Sequence, residues 1–535
     1  MVETVPQRAV VEQEVRAAVA RYESALAADD LDELDALFAP GEETLRADAS
    51  GVLVSHEAIS GYRRGRGGAP ARVMTALHVV VHAPGVATAL AETLRPDGTR
   101  GLQTQVWEKG PVGWQVRVAH VSSTPPPSTR DTLAREDPAT WRVTGSPLVA
   151  ATGSGPLDGV GLAVKDLVGV AGHPIGAGNP VKLAESAPAA ASAPVLAALL
   201  AAGAHVRGIA RTDELAYSLS GTNVHSGSPA NPWGAGLVVG GSTNGPASAV
   251  ARGTADVGVG TDTAGSIRVP ASYCGLHGLR PTHGAVPLDG VLPLAPSFDT
   301  LGWLTRGAGL LHRVAGVLLP AAAPVTSLVL AEDLLALADP PVAAALAAAA
   351  DELAAASGLP LSRAALATSE ERERWFTAFR AVQGAEAWAA HGDWITAHPG
   401  VLGPGIAQRF ADGAAVTPDQ LAAGRAAVAE GRAALAGRLP AGVAVLMPAA
   451  SSTAPPITAD PARKAEYRAA TLRLTCLAGV GGLPVAVAPA ALVDGLPVGL
   501  AVLGAGGTDT ALTALLAGWD RTLSAARQPP VRSAG

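Results

Sequence analysis

Several kinds of residue are scarce in this sequence of 535 residues, and each scarcity excludes a class of protein. Two cysteines, Cys274 and Cys476, are too few to build a disulfide framework. No stretch reaches the roughly 18 uninterrupted apolar residues that a membrane-spanning helix needs. Only 16% of the residues are charged and 48% are hydrophobic, which excludes intrinsic disorder. The net charge of −7 gives no overall positive field, so we expect neither nucleic acid nor a membrane as a partner.

The N-terminal sequence also lacks the features of a targeting signal. The segment MVETVPQRAVVEQEVR carries Glu3 and has no apolar core of about 7–15 residues, unlike a secretory signal. Two unpaired cysteines fit a reducing compartment. We therefore expect a cytoplasmic protein. At roughly 100–200 residues per domain, its length predicts two to four domains, or one large catalytic domain with an appendage.

Changes in residue pattern divide the chain into three segments. Residues 1–124 predict a small α+β domain, with helical spacing from Gln7 to Ala28, a short helix after Asp30 and alternating strand patterns thereafter. Residues 125–145 are rich in Pro, Ser and Thr, as is typical of a linker. Residues 146–535 alternate short apolar strands with helices, which predicts an α/β domain around a largely buried sheet.

Lysine is scarce among the 39 basic residues. The four lysines are Lys109, Lys165, Lys182 and Lys464. None has a serine three positions earlier, which excludes a Ser-x-x-Lys pair, and none belongs to a Gly-Lys-Ser/Thr phosphate-binding loop. Lys165 ends the apolar run that begins at Gly159. Burial disfavours the charged amine, so this lysine could accept a proton near neutral pH.

Two serines follow small residues in turns that could form a catalytic site. Ser242 follows Gly240-Gly241, and Ser266 follows Ala264-Gly265. Such turns are more often structural or phosphate-binding than catalytic, but they let a ligand approach the backbone N–H groups closely. A serine nucleophile needs a base, and the Gly-x-Ser-x-Gly motif of histidine-dependent hydrolases is absent here. Lys165 is therefore the candidate base.

Together, these motifs resemble the amidase signature family, whose catalytic unit is Ser–cis-Ser–Lys. The matching segments are GLAVKD around Lys165, GGSTNGP around Ser242 and GTDTAGSIR around Ser266. The resemblance extends from about residue 148 to 305 and resumes at 475–504, and within the family it is closest to indole-3-acetamide-type amidases. It implies an α/β amidase signature fold, in which helices sandwich a mixed sheet.

The resemblance also implies the roles of the site residues. Lys165 is the base, Ser242 relays the proton and Ser266 is the nucleophile, without metal or cofactor. The oxyanion hole would comprise the N–H groups of Thr263, Ala264, Gly265 and Ser266, while Gly240, Gly241, Asp262 and Arg268 support the loops. Three residues depart from the family pattern. These are Asn244, Pro246 and Ala264. Pro246 lacks an N–H and restricts its neighbour, which puts the shape of the Ser242 loop in question.

The first domain resembles the AtzH-like group of SnoaL-like, cystatin-like cone folds. The likeness lies in ARYESALAADDLDELDALF, LRADASG and GLQTQVWEKGPVGWQVRVAHVSS. Such folds enclose a pocket, and inward polar side chains mark a ligand site. The candidates are Tyr22, Arg46, Gln103, Gln105 and His120. Arg46 could hold a carboxylate. The alternative is a dimerisation or docking module with an idle pocket.

The sequence therefore predicts an amidase that hydrolyses a small carboxylic amide to a carboxylate and ammonia. A hydrolase of urea-derived amides such as biuret or allophanate is one alternative. An ammonia-supplying amidotransferase subunit is another, and a non-catalytic binding protein is the third. We expect a small-molecule amide as the substrate and a homodimer in solution.

Overall fold

The computed structural model describes residues 5–48, 51–65, 68–69, 71–95, 100–124 and 137–523. The chain forms two compact units, Met1–Thr129 and Arg130–Gly535. Most of the predicted linker lies outside the described residues. No helix in the described part is both long and apolar enough to cross a bilayer.

The first unit packs three helices against one face of a six-stranded sheet in the described residues. Its strand order is β2-β1-β6-β5-β4-β3, and only the β1–β6 pair is parallel. The elements are α1 (Val5–Ala28), α2 (Leu31–Ala36), β1 (Leu45–Asp48), β2 (Gly51–Val54), α3 (His56–Gly65), β3 (Val73–Ala83), β4 (Val86–Leu94), β5 (Arg100–Gly110) and β6 (Gly113–Thr124).

Helical spacing explains how α1 covers this sheet. Val11, Val15, Val19 and Tyr22 are buried and recur every three or four residues, so they form one apolar stripe. The Asp30 carboxylate accepts a hydrogen bond from the Glu33 N–H and caps α2. The cone-like α+β domain is thus confirmed. Its pattern did not predict β1, β2 and α3. The two strands have only four residues each, too few to establish a period, and α3 carries Gly61 in its interior, which weakens the helical pattern.

The second unit contains an eleven-stranded mixed sheet in the described residues. Its order is β14-β13-β15-β17-β16-β11-β12-β10-β8-β9-β7. The strands are β7 (Trp141–Val149), β8 (Gly161–Lys165), β9 (His205–Ala210), β10 (Val257–Thr261), β11 (His277–Arg280), β12 (Leu301–Thr305), β13 (Ser327–Ala331), β14 (Leu361–Ala364), β15 (Val443–Pro448), β16 (Val485–Val493) and β17 (Leu496–Leu503). Strand β8 lies between β10 and β9 and is parallel to both.

Apolar side chains cover both faces of this sheet. In β16, Val485 and Val487 belong to one hydrophobic cluster and Ala486 and Ala488 to another, because successive side chains point to opposite faces. Helices complete both clusters, which confirms the predicted sandwich. The helices are α4 (Pro180–Glu185), α5 (Pro194–Ala201), α6 (Asn244–Ala251), α7 (Arg268–Cys274), α8 (Ala308–Leu318), α9 (Glu332–Leu335), α10 (Pro340–Ser357), α11 (Ser369–Ala397), α12 (Pro404–Ala414), α13 (Pro418–Arg438), α14 (Pro461–Gly481) and α15 (Asp509–Leu523).

Strand β7 begins inside the segment 125–145 that the composition assigns to a linker. Trp141 is buried and pairs with Ala210 at the edge of the large sheet. The composition of residues 125–145 did not reveal this strand, because Pro-rich residues precede it and only a few apolar residues of β7 lie before residue 146. Residues 141–145 are therefore part of the second unit and not of a linker.

Candidate active site

The candidate site lies where two parallel strands end. Strands β8 and β10 are neighbours, and their last residues are Lys165 and Thr261. Because the strands run in the same direction, both side chains emerge at the same edge of the sheet. The Nζ atom of Lys165 donates a hydrogen bond to Thr261 Oγ1 over 2.8 Å. The fold thus places the buried amine beside the loop that follows β10.

Lys165, Ser242 and Ser266 form a continuous hydrogen-bonded chain. Lys165 Nζ lies 2.8 Å from Ser242 Oγ, which lies 3.0 Å from Ser266 Oγ. Lys165 and Ser242 are fully buried, and Ser266 is 3% exposed. The peptide bond between Gly241 and Ser242 is cis. The three residues that the sequence motifs single out are therefore brought together, although 77 residues separate Lys165 from Ser242.

The surroundings of Lys165 make it a potential proton acceptor. Burial lowers the pKa of Lys165 from 10.5 to about 7, although the negative charges of Asp213, Asp262 and Asp299 act in the opposite direction. The Nζ atom also lies 3.1 Å from Thr243 Oγ1. A neutral amine can donate to two of its three hydroxyl neighbours and accept from the third. With Thr243 and Thr261 as acceptors, Ser242 is left to donate its hydroxyl proton to Lys165.

Asp262 holds the loop that carries Ser266. Its carboxylate accepts hydrogen bonds from the N–H groups of Gly265 and Ile267, at 2.9 and 3.0 Å. Arg268 Nη2 lies 2.7 Å from Asp262 Oδ1, and Arg280 Nη1 lies 3.1 Å from the same atom. Burial raises the pKa of Asp262, but the charges of both arginines and the hydrogen bonds from Arg268 outweigh it and hold this pKa well below its usual range. Asp262 and Arg268, which the resemblance assigns to supporting the loops, form a direct ion pair, and Arg280 joins it.

One predicted oxyanion donor is already occupied. The N–H group of Gly265 donates to Asp262, so it does not face a reacting carbonyl. By contrast, the N–H groups of Thr263, Ala264 and Ser266 donate to no acceptor in the described part of the chain. These three groups fit the requirement for free donors beside a nucleophile. The predicted set of four is corrected to these three.

The departures from the family pattern fit the local structure. The side chain of Asn244 donates to Asp213 Oδ1 at 2.9 Å and accepts from the Gly245 N–H at 2.7 Å. Pro246 is the third residue of α6, where a backbone N–H has no partner within a helix. Its missing donor therefore costs the helix no hydrogen bond. The carbonyl of Ala264 accepts a hydrogen bond of 2.6 Å from the Thr475 hydroxyl. The methyl group that distinguishes Ala264 from the family's glycine does not disturb this contact.

The structure adds supporting residues that the sequence reasoning missed. Asp213 accepts from the Gly221 N–H, and burial raises its pKa to about 6. Asp299 accepts a hydrogen bond of 2.6 Å from Thr263 Oγ1. The missed residues are Asp213, Thr243, Thr261, Arg280 and Asp299. Thr243 and Thr261 stand inside the matching segments GGSTNGP and GTDTAGSIR, which was the available signal, and Asp213 begins a separate segment, DELAYSLSGTN.

Three of the five residues predicted to line a pocket in the first unit share the inner face of its sheet. Gln105 pairs with Ala119, which also pairs with Arg46, and Gln103 lies two residues from Gln105. All three polar side chains are buried. Tyr22 is buried on α1, with its ring 6.2 Å from that of Phe38.

His120 does not belong to this group. It pairs with Thr104 and is exposed, so its side chain points away from the face that holds Gln103 and Gln105. A bulge at Val106/Trp107 shifts the register of β5 and β6 by one residue. Without it, the register set by Gly110 and Gly113 would place His120 opposite Gln103. The prediction for His120 is wrong because a one-residue shift reverses which face a side chain occupies.

Buried donors in the first unit have no hydrogen-bond partner within the described residues. They are Nη2 of Arg63, Nε2 of Gln105 and Nε1 of Trp107. Arg63 stacks on the Phe38 ring at 4.0 Å, Phe38 bridges to Val116, and Val116 pairs with Trp107. Gln103, in contrast, accepts a hydrogen bond of 2.9 Å from Arg72. Unpartnered donors without unpartnered acceptors favour a ligand with acceptor oxygens.

Neither the candidate active site nor the inner face of the first unit's sheet presents a metal-binding group among the described residues. Among the described residues, no group of three or more His, Cys, Asp or Glu side chains could hold a metal ion. The sulfur atoms of Cys274 and Cys476 are buried, and burial raises the pKa of the Cys476 thiol to about 12.

Comparison with known families supports both motif assignments. Residues 146–317 match the family described as Amidase, and residues 4–126 match the family described as AtzH-like. The second match covers nearly the whole of the first compact unit.

Curated relatives carry the name Amidase 1. The protein of Arabidopsis thaliana is 33% identical over 407 residues, which cover 70% of this chain and 96% of that protein. The protein of Oryza sativa subsp. japonica is 50% identical over 165 residues, which cover 31% of this chain and 38% of that protein. A solved structure described as the crystal structure of amidase matches with a TM-score of 0.65 and 27% identity, covering 74% of this chain and 94% of that one.

Proposed function

Since the chain belongs to the amidase family, as a relative similar over 70% of its length shows, we propose that it hydrolyses a small carboxylic amide to a carboxylate and ammonia. The observation that carries this proposal is the buried chain from Lys165 through Ser242 to Ser266. It provides a base, a relay and a nucleophile in hydrogen-bond reach of one another.

The first half of the reaction acylates Ser266. Its Oγ attacks the amide carbon while its proton passes to Ser242 Oγ, and the Ser242 proton passes to neutral Lys165. The N–H groups of Thr263, Ala264 and Ser266 stabilise the oxyanion that forms. The C–N bond then breaks, and Lys165 returns its proton through Ser242 to the leaving nitrogen, which departs as ammonia.

The second half releases the acid. Water attacks the ester carbon and gives its proton through Ser242 to Lys165, and a second oxyanion forms at the same donors. When this intermediate collapses, the proton returns by the same route to Ser266 Oγ. The product keeps the second proton of the water as a carboxylic acid, loses it to solvent and leaves as the carboxylate, while both serines regain their hydroxyl protons. The relay therefore ends each cycle in its starting state without a metal or a cofactor.

Covalent labelling tests this proposal directly. A fluorophosphonate probe should modify Ser266 of the full chain, and peptide mass spectrometry locates the adduct. The adduct should be lost in Lys165→Ala, because without the base the serine is a poor nucleophile. The exposed Lys109 forms a salt bridge with Glu14 and provides a matched control, since Lys109→Ala should label normally. Labelling that is absent from the wild-type protein favours a non-catalytic binding protein.

For the first unit, we propose a ligand site for a small carboxylate, supported by the unpartnered donors of Arg63, Gln105 and Trp107. Arg46 shares the inner face of the sheet with Gln105, although Asp48 already accepts a hydrogen bond of 2.8 Å from it. Calorimetry of the full chain with malonate tests the proposal. Gln105→Leu should weaken binding about tenfold, and Gln13→Leu, at an exposed position of α1, should not. Equal affinities would favour the docking-module alternative.

The expected homodimer and cytoplasmic location remain predictions. Sedimentation equilibrium of the purified chain tests the first, and fractionation of the source cells tests the second. Urea-derived amides and ammonia transfer to a partner subunit stay as alternatives. A screen that measures ammonia release from both aryl-acetamides and urea-derived amides distinguishes the substrate classes.

A further inference from the structure

A cleft of about 960 Å³ lies among the helices of the second unit. Residues of α11, α12, α13 and α14 line it, together with Tyr217. Its outer part contains Glu373 and Arg374, which form ion pairs with Arg473 and Glu430. Its volume lies in the range of small-molecule sites.

Two segments connect this cleft with the candidate active site. Arg468 and Leu472 line the cleft and share a face of α14 with Thr475, whose hydroxyl donates to the Ala264 carbonyl at 2.6 Å. On another wall, Tyr217 stands two residues before Leu219, whose carbonyl accepts a hydrogen bond of 2.9 Å from the Gly241 N–H. The cleft is therefore lined by residues that lie two or three positions from those hydrogen-bonded to the loops of Ser242 and Ser266.

Three arginines in the cleft lack an ionic partner. None of Arg380, Arg409 and Arg468 forms an ion pair with a carboxylate among the described residues. Arg409 donates a hydrogen bond of 2.6 Å to the Tyr217 carbonyl. The Nε atom of Arg468 is buried and has no hydrogen-bond partner in the described part of the chain. Asp412 also lines the cleft, but its carboxylate accepts a hydrogen bond from Gln408.

These arginines are close enough to repel one another. Burial lowers the pKa of Arg468 to about 9, and the charges of Arg409 and Arg380 add to this effect. Burial raises the pKa of Tyr217, whereas all three guanidinium groups lower it, so they surround one phenol. The charge of Asp213 partly offsets that of Arg409, whereas no carboxylate of the described residues raises the pKa of Arg468. A buried cation without a counter-charge is costly, and an anion bound at Arg468 would relieve that cost.

We propose that this cleft receives the acyl group of the substrate and that Arg468 and Arg409 bind a carboxylate on it. The preferred substrates are then amides that carry a carboxylate distant from the scissile group, such as monoamides of dicarboxylic acids. This inference rests on the proposed amide hydrolysis, because ammonia as the leaving group puts the carboxylate on the acyl side.

The position of Arg468 sets the length of the substrate. Seven residues separate it from Thr475, which corresponds to about 10 Å along the axis of α14. An extended chain advances about 1.2 Å per bond, so an acyl chain of roughly six to eight carbons with its terminal carboxylate would span that distance. Short urea-derived acids would leave the arginines unoccupied, and neutral aryl-acetamides would leave their charges uncompensated.

The test compares two substrates of the same length on the full chain. One is the monoamide of octanedioic acid, and the other is octanamide. We expect kcat/KM to be about 10- to 100-fold higher for the monoamide, as suits a charge-assisted hydrogen-bonded pair. Arg468→Met should remove most of this preference, chiefly by raising KM for the monoamide. Arg463→Met, at an exposed arginine of the same helix that pairs with Glu466, is the matched control.

Binding of the monoamide to the Ser266→Ala variant separates the carboxylate-site proposal from the amidase proposal. Calorimetry should show that this variant binds the monoamide and that Ser266→Ala/Arg468→Met binds it about 10- to 100-fold more weakly. Equal turnover of both amides with no effect of Arg468→Met would overturn the carboxylate site and leave the amidase proposal intact. Binding that depends on Arg468, without hydrolysis of any amide by the wild-type protein, would overturn the amidase proposal alone. If the protein shows neither Arg468-dependent binding nor hydrolysis of any amide, both proposals are overturned. Thermal unfolding verifies that each variant is folded.

Discussion

Lys165 Nζ and Ser242 Oγ lie 2.8 Å apart, and neither side chain has any exposed surface. Burial lowers the pKa of Lys165 to about 7, so the neutral base exists at physiological pH. A relay through Ser242 needs that neutral form. The reactivity of the site should therefore depend on a single deprotonation near neutrality.

The pH profile of kcat/KM tests this dependence. We expect activity to rise with pH through about 7 and to level off above it, because Lys165 accepts a proton only after losing one. Lys109→Ala should keep this profile, since Lys109 is exposed. A profile that is flat between pH 5 and pH 9, or that falls on deprotonation near 7, contradicts the assignment of Lys165 as the base.

The same shift in pKa predicts a pH-dependent effect on stability. Lys165 has a lower pKa in the folded state than in the unfolded state, so the unfolded chain binds more protons between pH 7 and pH 10.5. Its contribution to the free energy of unfolding therefore rises with pH across that window. Lys165→Met removes this contribution, so the change in Tm relative to wild type should be more favourable at pH 6 than at pH 10. A pH-independent difference would mean that Lys165 titrates alike in both states.

Substitution of the relay residues should affect activity in a defined order. Ser266→Ala removes the nucleophile and should reduce amide hydrolysis to background. Lys165→Ala and Ser242→Ala should each lower kcat by at least about 100-fold, the lower range for proton-transfer catalysis. Ser154, which is exposed and donates a hydrogen bond to Asp158, provides the control Ser154→Ala. Retention of full activity by any of the three site variants would falsify the mechanism.

Asp262 should be important for stability because it neutralises two buried arginines. Asp262→Asn leaves Arg268 and Arg280 without their counter-charge, and we expect a loss of about 3–5 kcal/mol in the free energy of unfolding. Asp351→Asn breaks an exposed pair with Arg363 and should cost less than about 1 kcal/mol. Denaturant unfolding at pH 7 measures both. The difference should shrink in acid, because the low pKa of Asp262 stabilises the fold only above the pKa of the unfolded aspartate.

Local motifs pointed to the three residues of the hydrogen-bonded chain but not to all of its partners. Lys165, Ser242 and Ser266 each occur in a short segment with a recognisable pattern. The bond between Lys165 and Thr261 joins residues 96 positions apart, and it depends on the pairing of β8 with β10. No local pattern shows which strands are neighbours, so Thr261 was recognisable only after the sheet was known.

Register and loop geometry limited the prediction in two further places. His120 was assigned to the inner face of its sheet, but the bulge at Val106/Trp107 places it on the outer face. Gly265 was assigned to the oxyanion hole, but its N–H group donates to Asp262. In both places the residue type was compatible with the role. The direction of the side chain at His120 and of the N–H group at Gly265 excluded each residue from its predicted role. These directions depend on the folded backbone.

The two residues before the nucleophile should tolerate substitution differently. Gly265 has a φ of +121°, and an added Cβ atom would lie 3.1 Å from the Thr475 side chain. Gly265→Ala should therefore distort the loop that holds Ser266, costing about 1–3 kcal/mol in stability and much of the activity.

Ala264→Gly is the matched comparison. Its methyl group contributes to neither the N–H donor nor the carbonyl that Thr475 holds. Activity should therefore stay within about threefold of wild type, with a stability loss of no more than about 1 kcal/mol from added backbone freedom. Amide hydrolysis and denaturant unfolding of both variants measure the contrast. If Gly265→Ala matched Ala264→Gly in both measurements, the backbone conformation at position 265 would not be needed to place Ser266.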